Sequence, residues 1–255
     1  MALFTDGPIS SAQDLQEYDS SVLTVASAEG INLAVKATLA QQDVGNELML
    51  FLFRRAHFRD DQPYFRPRPG LADVVVTEAL QQWHILRTLA LVYRDAYYNQ
   101  LNDRYQGKWN EYEQLARTSS RKYFELGVGV VADPIPMAPT PELSSVAGTG
   151  VEETYYVVAT WVGAAGQEGA PSADATLTTG AGEVLVAILT NPPPIAVGWN
   201  VYVGLSPMAL TLQNDTPLAL GSSWTLTGAL SAGVPAPTGQ LPGWFIVDHH
   251  FMNRG

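Results

Sequence analysis

Cysteine is absent from the 255 residues. That removes disulfide staples, thiolate nucleophiles and cysteine-based zinc sites together, and it fits a protein made in a reducing cytoplasm. Charge is scarce, at 15% of residues, and cations nearly vanish from the second half. Residues 141–255 hold one Lys or Arg against eight Asp or Glu, whereas residues 1–140 hold 13 against 17. The second half therefore has almost nothing to set against a phosphate, and sequence-general DNA binding is not expected there. Long apolar runs are also missing. The longest, Leu48 to Phe53, is far too short to cross a bilayer. The opening MALFTDGPIS has neither the basic region nor the apolar core of a signal peptide. The expectation is a soluble protein with enough apolar residues, 46%, to build real cores.

Two regimes meet near residue 140. Before it the periodicity is helical. A first helix starts at Ser10 or Ser11, has Asp14 in its first turn, and carries Leu15, Tyr18, Val22 and Val25 on one stripe up to Gly30. Asn32 caps a second helix, with the stripe Leu33, Ala37, Ala40, Val44, Leu48 and Phe51. Residues 54–70 contain Pro63, Pro67 and Pro69 and cannot continue it, so they form an ordered loop or an extended arm. A third, long helix begins near Asp73, with Leu80, Trp83, Leu86, Ala90, Tyr93, Tyr97 and Leu101 in register. Trp109 to Leu126 is helical too, either continuous with it or hinged at Gly107, and Gly127 and Gly129 end the helical regime.

Beyond that, ADPIPMAPTP (132–141) alternates proline with other residues, which predicts a stiff, extended spacer. From 150 onward the runs TYYVVATW (154–161), EVLVAIL (183–189), WNVYV (199–203) and a short strand at Ser223 to Leu226 read as strands between Gly, Pro, Asn and Ser clusters. The resulting fold class is multidomain, α plus all-β: an N-terminal α-helical bundle with long helices and a C-terminal immunoglobulin-like β-sandwich. The domains are 1–131, helical; 132–149, proline-rich linker; 150–237, β-sandwich; and 238–255, an apolar docking tail.

Two stretches carry a resemblance. LFTDGPISSAQDLQEYDSSVLTVASAEGINL, then GNELMLFLFRR, then NQLNDRYQGKWNEYEQLARTSSRKYFELGVGVVADPIP resemble proteins encoded near the portal gene of tailed bacteriophages, the head-to-tail connectors or portal adaptors. YYVVATWVGAAGQEGAPSAD with GWNVYVGLSP is similar to the fibronectin type III-like modules that decorate phage structural proteins. The resemblance implies a non-enzymatic virion part located in the neck between capsid and tail and made in the bacterial host cytoplasm. It implies a homo-oligomeric ring, usually of twelve subunits, docked on the portal protein. It implies a downstream tail or nozzle protein as the next partner, with packaged DNA only passing through the channel. It transfers no catalytic residue and no cofactor. The appended sandwich departs from the many connectors that are helical only.

Arg54, Arg55, Arg59, Arg66 and Arg68, interleaved with His57, Phe58, Tyr64 and Phe65, form the one basic cluster. It reads as an arm gripping the portal or a neighbouring subunit through bidentate guanidinium contacts, or lining a channel; the plainer reading is a solvated loop paired with Asp60 and Asp61. Trp244, Phe245, Ile246 and Phe251 make the segment from 238 a docking strand or hook. The aromatic stripe Trp83, Tyr93, Tyr97, Tyr98, Tyr105, Trp109, Tyr112 and Tyr123 is mostly bundle core, but Tyr97 and Tyr98 point about 100° apart, so some tyrosines are expected to meet another subunit. His249 and His250 on an extended segment point to opposite faces and suit a metal poorly, so no metal site is expected. No Gly-x-Ser-x-Gly elbow and no phosphate loop occur. The alternative function is a surface module whose sandwich binds carbohydrate or protein, with Trp161, Trp199 or Trp224 exposed to stack on sugar rings.

Overall fold

The computed structural model describes residues 1–56, 69–100 and 103–247. Helices fill the first half: α1 Ala12–Tyr18, α2 Val22–Ala28, α3 Leu33–Ala56, α4 Glu78–Gln100 and α5 Asp103–Leu126. Strands follow: β1 Val128–Val130, β2 Glu142–Ala147, β3 Glu153–Gly163, β4 Ala175–Thr179, β5 Glu183–Ile188, β6 Ala196–Gly204, β7 Thr211–Leu212, β8 Ser223–Thr225 and β9 Trp244–Ile246. The chain forms two compact units, neither continuous in sequence. The helical unit takes residues 7–130 and the segment from 242; the β unit takes residues 1–6 and 131–241.

Ser11 starts α1 through a reciprocal cap: its side chain accepts from the Asp14 amide at 3.2 Å, and Asp14 accepts from the Ser11 amide at 2.6 Å. The single helix expected up to Gly30 is instead broken at 19–21. Asp19 leaves helical geometry (φ −140°, ψ 101°), and its carboxylate accepts from the Ser21 amide at 3.0 Å and the Ser21 hydroxyl at 2.6 Å. This local Asp–Ser pairing competes with helix continuation. Asn32 caps α3 by accepting from the Val35 amide at 3.2 Å. The predicted stripe Ala40, Val44, Leu48 and Phe51 is buried, and α3 runs on past Phe53 to Ala56. The third helix starts at Glu78 rather than near Asp73. Leu71–Asp73 is a 3₁₀ turn closed by Asp73 on the Gly70 amide at 2.7 Å, and Val74 and Val75 then bond to the β1 strand instead of entering a helix. Gly107 lies inside α5 and is not a hinge.

Helices α4 and α5 are antiparallel. Trp83 meets Tyr123 at 5.8 Å (ring centroids) near one end, and Tyr97 stacks on Trp109 at 5.8 Å near the other. Between them sits a buried polar hub. Asp19, 4% exposed at its side chain, also accepts from Lys108 Nζ at 2.6 Å, Tyr93 Oη at 2.6 Å and Tyr112 Oη at 2.9 Å. Burial alone would raise its carboxyl pKa, but the bonds from Lys108, Ser21 and Tyr93 outweigh that and hold it well below the usual carboxylate range.

The β unit is two antiparallel sheets, ordered β2-β5-β8 and β4-β3-β6-β7, around one shared core. Trp161 on β3 lies directly opposite Trp199 on β6, and both are buried with Tyr155, Leu185, Val201 and Trp224. The proline-rich stretch is not a spacer. Ile135 and Ala138 are core residues, the Ala138 amide donates to the Ala170 carbonyl at 3.3 Å, and all six residues of β2 pair with β5. Proline favours extended backbone, and here that backbone is packed rather than solvated. The segment from 238 is likewise divided: Gln240 belongs to the β unit, while β9 pairs with β1 in the helical unit.

Asp19→Asn keeps the shape and removes the charge from a site built for it. It is expected to destabilise the helical unit by about 2–3 kcal/mol, read as a lower urea midpoint in helix circular dichroism with the β unit's transition unmoved. A carboxyl held below its ordinary value adds stability above about pH 4 that is lost as pH falls further. Acid melts of the parent should show this loss and those of Asp19→Asn should not.

Candidate assembly surface

A helix with a single apolar stripe has one face to bury; α3 has two. Val35, Leu39, Met49, Leu50 and Phe53 are exposed, Phe53 by 60% and Leu50 by 55%. At about 100° per residue they fall on one line along the helix, with the uncharged Gln42 and Asn46 between them. That line is opposite the buried Ala40, Val44, Leu48 and Phe51. This outward stripe escaped the sequence reading, which followed only the inward one. The signal was present: LMLFLF is apolar at every position, so a helix through it must be apolar on all faces.

The helix holding this stripe is firmly braced from behind. Arg87 on α4 donates from Nε and Nη2 to Asp43 on α3 at 3.1 and 2.8 Å, and from Nη1 to Glu113 on α5 at 3.0 Å. His84, fully buried, bonds the Ser10 hydroxyl at 2.9 Å and the Ala37 carbonyl at 2.9 Å. Burial lowers its pKa, so the neutral ring ties α4 to α3 and to the segment before α1. Tyr123 closes the far end against Trp83 and Phe124, the latter stacked on Phe51, with a buried hydroxyl that has no partner among the described residues.

Of the arginine arm, Arg54 sits exposed near the end of α3. The side chain of Arg55, together with His57, Arg59, Arg66 and Arg68, lies outside the described residues, as do His249, His250 and Phe251. Trp244 and Ile246 are half-buried and Phe245 is exposed on β9, where they form a strand against their own chain. Within the aromatic stripe Trp83, Tyr93, Tyr105 and Tyr123 are core, whereas Tyr98 is exposed beside Tyr97 and Trp109. Trp161, Trp199 and Trp224, which a sugar-binding face would need at the surface, are buried.

Two of the surface recesses belong to the helical unit. One of about 320 Å³ is lined by Asn110, Glu113, Gln114 and Arg117, and another of about 250 Å³ by Asp14, Glu17, Tyr18, Glu78, Gln81, Gln82 and Ile85. Neither gathers a nucleophile with a base. No group of three or more His, Asp or Glu among the described residues is placed to hold a metal. No single helix among them is long and apolar enough to cross a membrane, and the α2–α3 pair, which together reaches that composition, is bent by 112°.

Leu39→Ser with Leu50→Ser should lower stability by no more than about 1–1.5 kcal/mol, because the two side chains are 40% and 55% exposed and the loss is mainly helix propensity. Self-association followed by mass photometry should weaken. Leu48→Ala, one turn away on the buried side, should instead cost about 3 kcal/mol. Tyr123→Phe removes an unsatisfied buried hydroxyl and should leave thermal stability unchanged or raise it by up to about 1 kcal/mol, in contrast to any hub residue.

The chain matches no protein-family model, no curated protein and no solved structure.

Proposed function

We propose that this chain is a virion structural protein, a head-to-tail connector of a tailed bacteriophage. Its helical unit assembles laterally into a ring that docks on the portal, and DNA passes through the channel. The observation carrying this reading is the second apolar face of α3. A stripe of five exposed apolar side chains on a rigidly braced helix is what a subunit needs to bury against its neighbour. Repeated head to tail, one such contact closes into a ring when its rotation divides a full turn. The resemblance of the helical half to portal-adjacent phage proteins supplies the setting, and the twelve-fold count comes from that resemblance alone.

We read the β unit as immunoglobulin-like. The order β4-β3-β6-β7 has the form of the C′-C-F-G sheet of such domains, and Trp161 is a buried tryptophan on the strand in the C position. A sugar-binding role for this unit finds no surface tryptophan among Trp161, Trp199 and Trp224 to stand on.

The test is negative-stain imaging and mass photometry of the purified chain, alone and mixed with the portal protein of the same phage. Rings, or a stoichiometric complex on the portal, are the expected result. A chain that stays monomeric in both conditions would sink the connector reading.

A further inference from the structure

A strict alternation of three- and four-residue steps along one face of a helix is the pattern of a seam against another helix. The outward face of α3 has it. Val35, Leu39, Gln42, Asn46, Met49 and Phe53 follow one another at steps of four, three, four, three and four, and all six are exposed. The order also reads the same in reverse. Leu39 stands five residues before Val44 and Met49 five after it; Gln42 stands two before and Asn46 two after; Val35 stands nine before and Phe53 nine after.

Two such helices laid antiparallel, with a two-fold axis at the height of Val44, therefore meet type for type. Leu39 of one copy faces Met49 of the other, the Gln42 amide faces the Asn46 amide, and the smaller Val35 faces the larger Phe53. A side-chain amide both donates and accepts, so the two central Gln–Asn layers satisfy one another, and a polar layer inside an apolar seam fixes its register. A parallel pair would set Phe53 on Phe53 and Val35 on Val35, and would align the two helix dipoles. The charges beside the seam are committed within their own chain: Lys36 pairs with Asp95, Asp43 with Arg87 at 2.8 Å, and Glu47 accepts from the Ser120 hydroxyl at 2.9 Å. With Leu50 on its flank, the stripe offers on the order of 500 Å² per copy at the exposure its residues keep, so a pair buries about 1,000 Å², where specific interfaces begin. No other described helix carries more than two large apolar residues at the surface. The face that complements this one is a second α3.

We propose that two copies of the free chain pair through their α3 stripes, antiparallel about a two-fold axis level with Val44. Such a contact is the same patch on both copies, so it closes at two and does not propagate. It covers the surface that a ring contact needs. That the pair is the resting form, which opens when the portal is met, rests on the connector reading above; the pairing itself needs only a second copy.

The chain has no cysteine of its own, which makes disulfide trapping clean. Leu39→Cys and Met49→Cys chains, co-expressed and oxidised, should give a covalent dimer on non-reducing gels. Either variant alone should not, because its two thiols would lie about 15 Å apart along the pair. Covalent dimers from each single variant mark a parallel pair and overturn the inference, as does a mixture without any link. A second pair of variants needs no thiol, and both positions are exposed. Gln42→Glu with Asn46→Lys sets opposite charges face to face across the axis and should keep the dimer. Gln42→Glu with Asn46→Glu sets like charges there and should raise the dissociation constant roughly tenfold or more, read by sedimentation equilibrium; equal constants overturn the pairing. A linked dimer that forms neither a ring nor a complex with the portal leaves the pairing standing and removes the connector reading. Rings on the portal from a chain that is monomeric when free do the reverse.

Discussion

A single carboxylate, Asp19, is taken out of water at the corner between α1 and α2, and the helical unit is arranged to satisfy it. Three elements converge there: Ser21 from the corner itself, Tyr93 from α4, and Lys108 and Tyr112 from α5. Lys108 Nζ also lies 5.0 Å from the centre of the Tyr93 ring, so the cation is met by a π face as well as by the anion. Removing a donor would leave a carboxylate that is 4% exposed short of a partner, and this ties α4 and α5 to the N-terminal corner. Apolar packing is supplied by the surrounding clusters, Leu15 with Val22, Ile85, Leu89 and Val92, and Val25 with Tyr93, Ala96 and Tyr105. The hub gives that packing a unique register, in the way a buried polar network specifies one arrangement among several apolar ones.

Much of the fold was legible because its signals are local. The capping pair Ser11–Asp14, the Asn32 cap and the inward stripe of α3 follow from spacing alone, and so do the cores of β3, β5 and β6. What escaped depends on partners distant in sequence. The apolar period Leu15, Tyr18, Val22, Val25 continues straight through Asp19, so nothing in the pattern marks the break. Only the convergence of Tyr93, Lys108 and Tyr112 gives the extended Asp19 a reason to exist. ELSSVA reads as neither buried nor alternating, and β2 is a strand because β5 offers it a partner along all six residues. The prolines of 132–141 say that the backbone is extended; whether an extended chain is solvated or packed is decided by Ile135 and Ala138 finding a core.

The candidate surface was legible to a different degree. Its chemistry, an apolar segment bounded by arginines, was visible in FLFRR. Its geometry was not, because a helix apolar all round reads as fully buried until a structure shows which side has neighbours. The β unit shows the converse. Two of its tryptophans, Trp161 and Trp199, which composition alone leaves open to a surface role, are enclosed as a facing pair on β3 and β6. One region keeps apolar side chains exposed along a helix, and the other encloses its tryptophans.

The interleaving of the two units in sequence also sets an order of events during synthesis. Domains are commonly completed in the order in which they leave the ribosome. Here the helices emerge first, yet β1 waits with one edge open until residues 242–247 arrive, after the entire β unit has been made. Residues 1–6 wait in the same way for the β unit they belong to, with Asp6 held against the Met137 amide at 2.8 Å once that unit exists. The half made first is therefore the half finished last. A nascent chain stalled between residues 131 and 241 carries a helical unit with an unpaired strand edge, a state that chaperones, proteases and sister chains on the same message would all meet before the protein is whole.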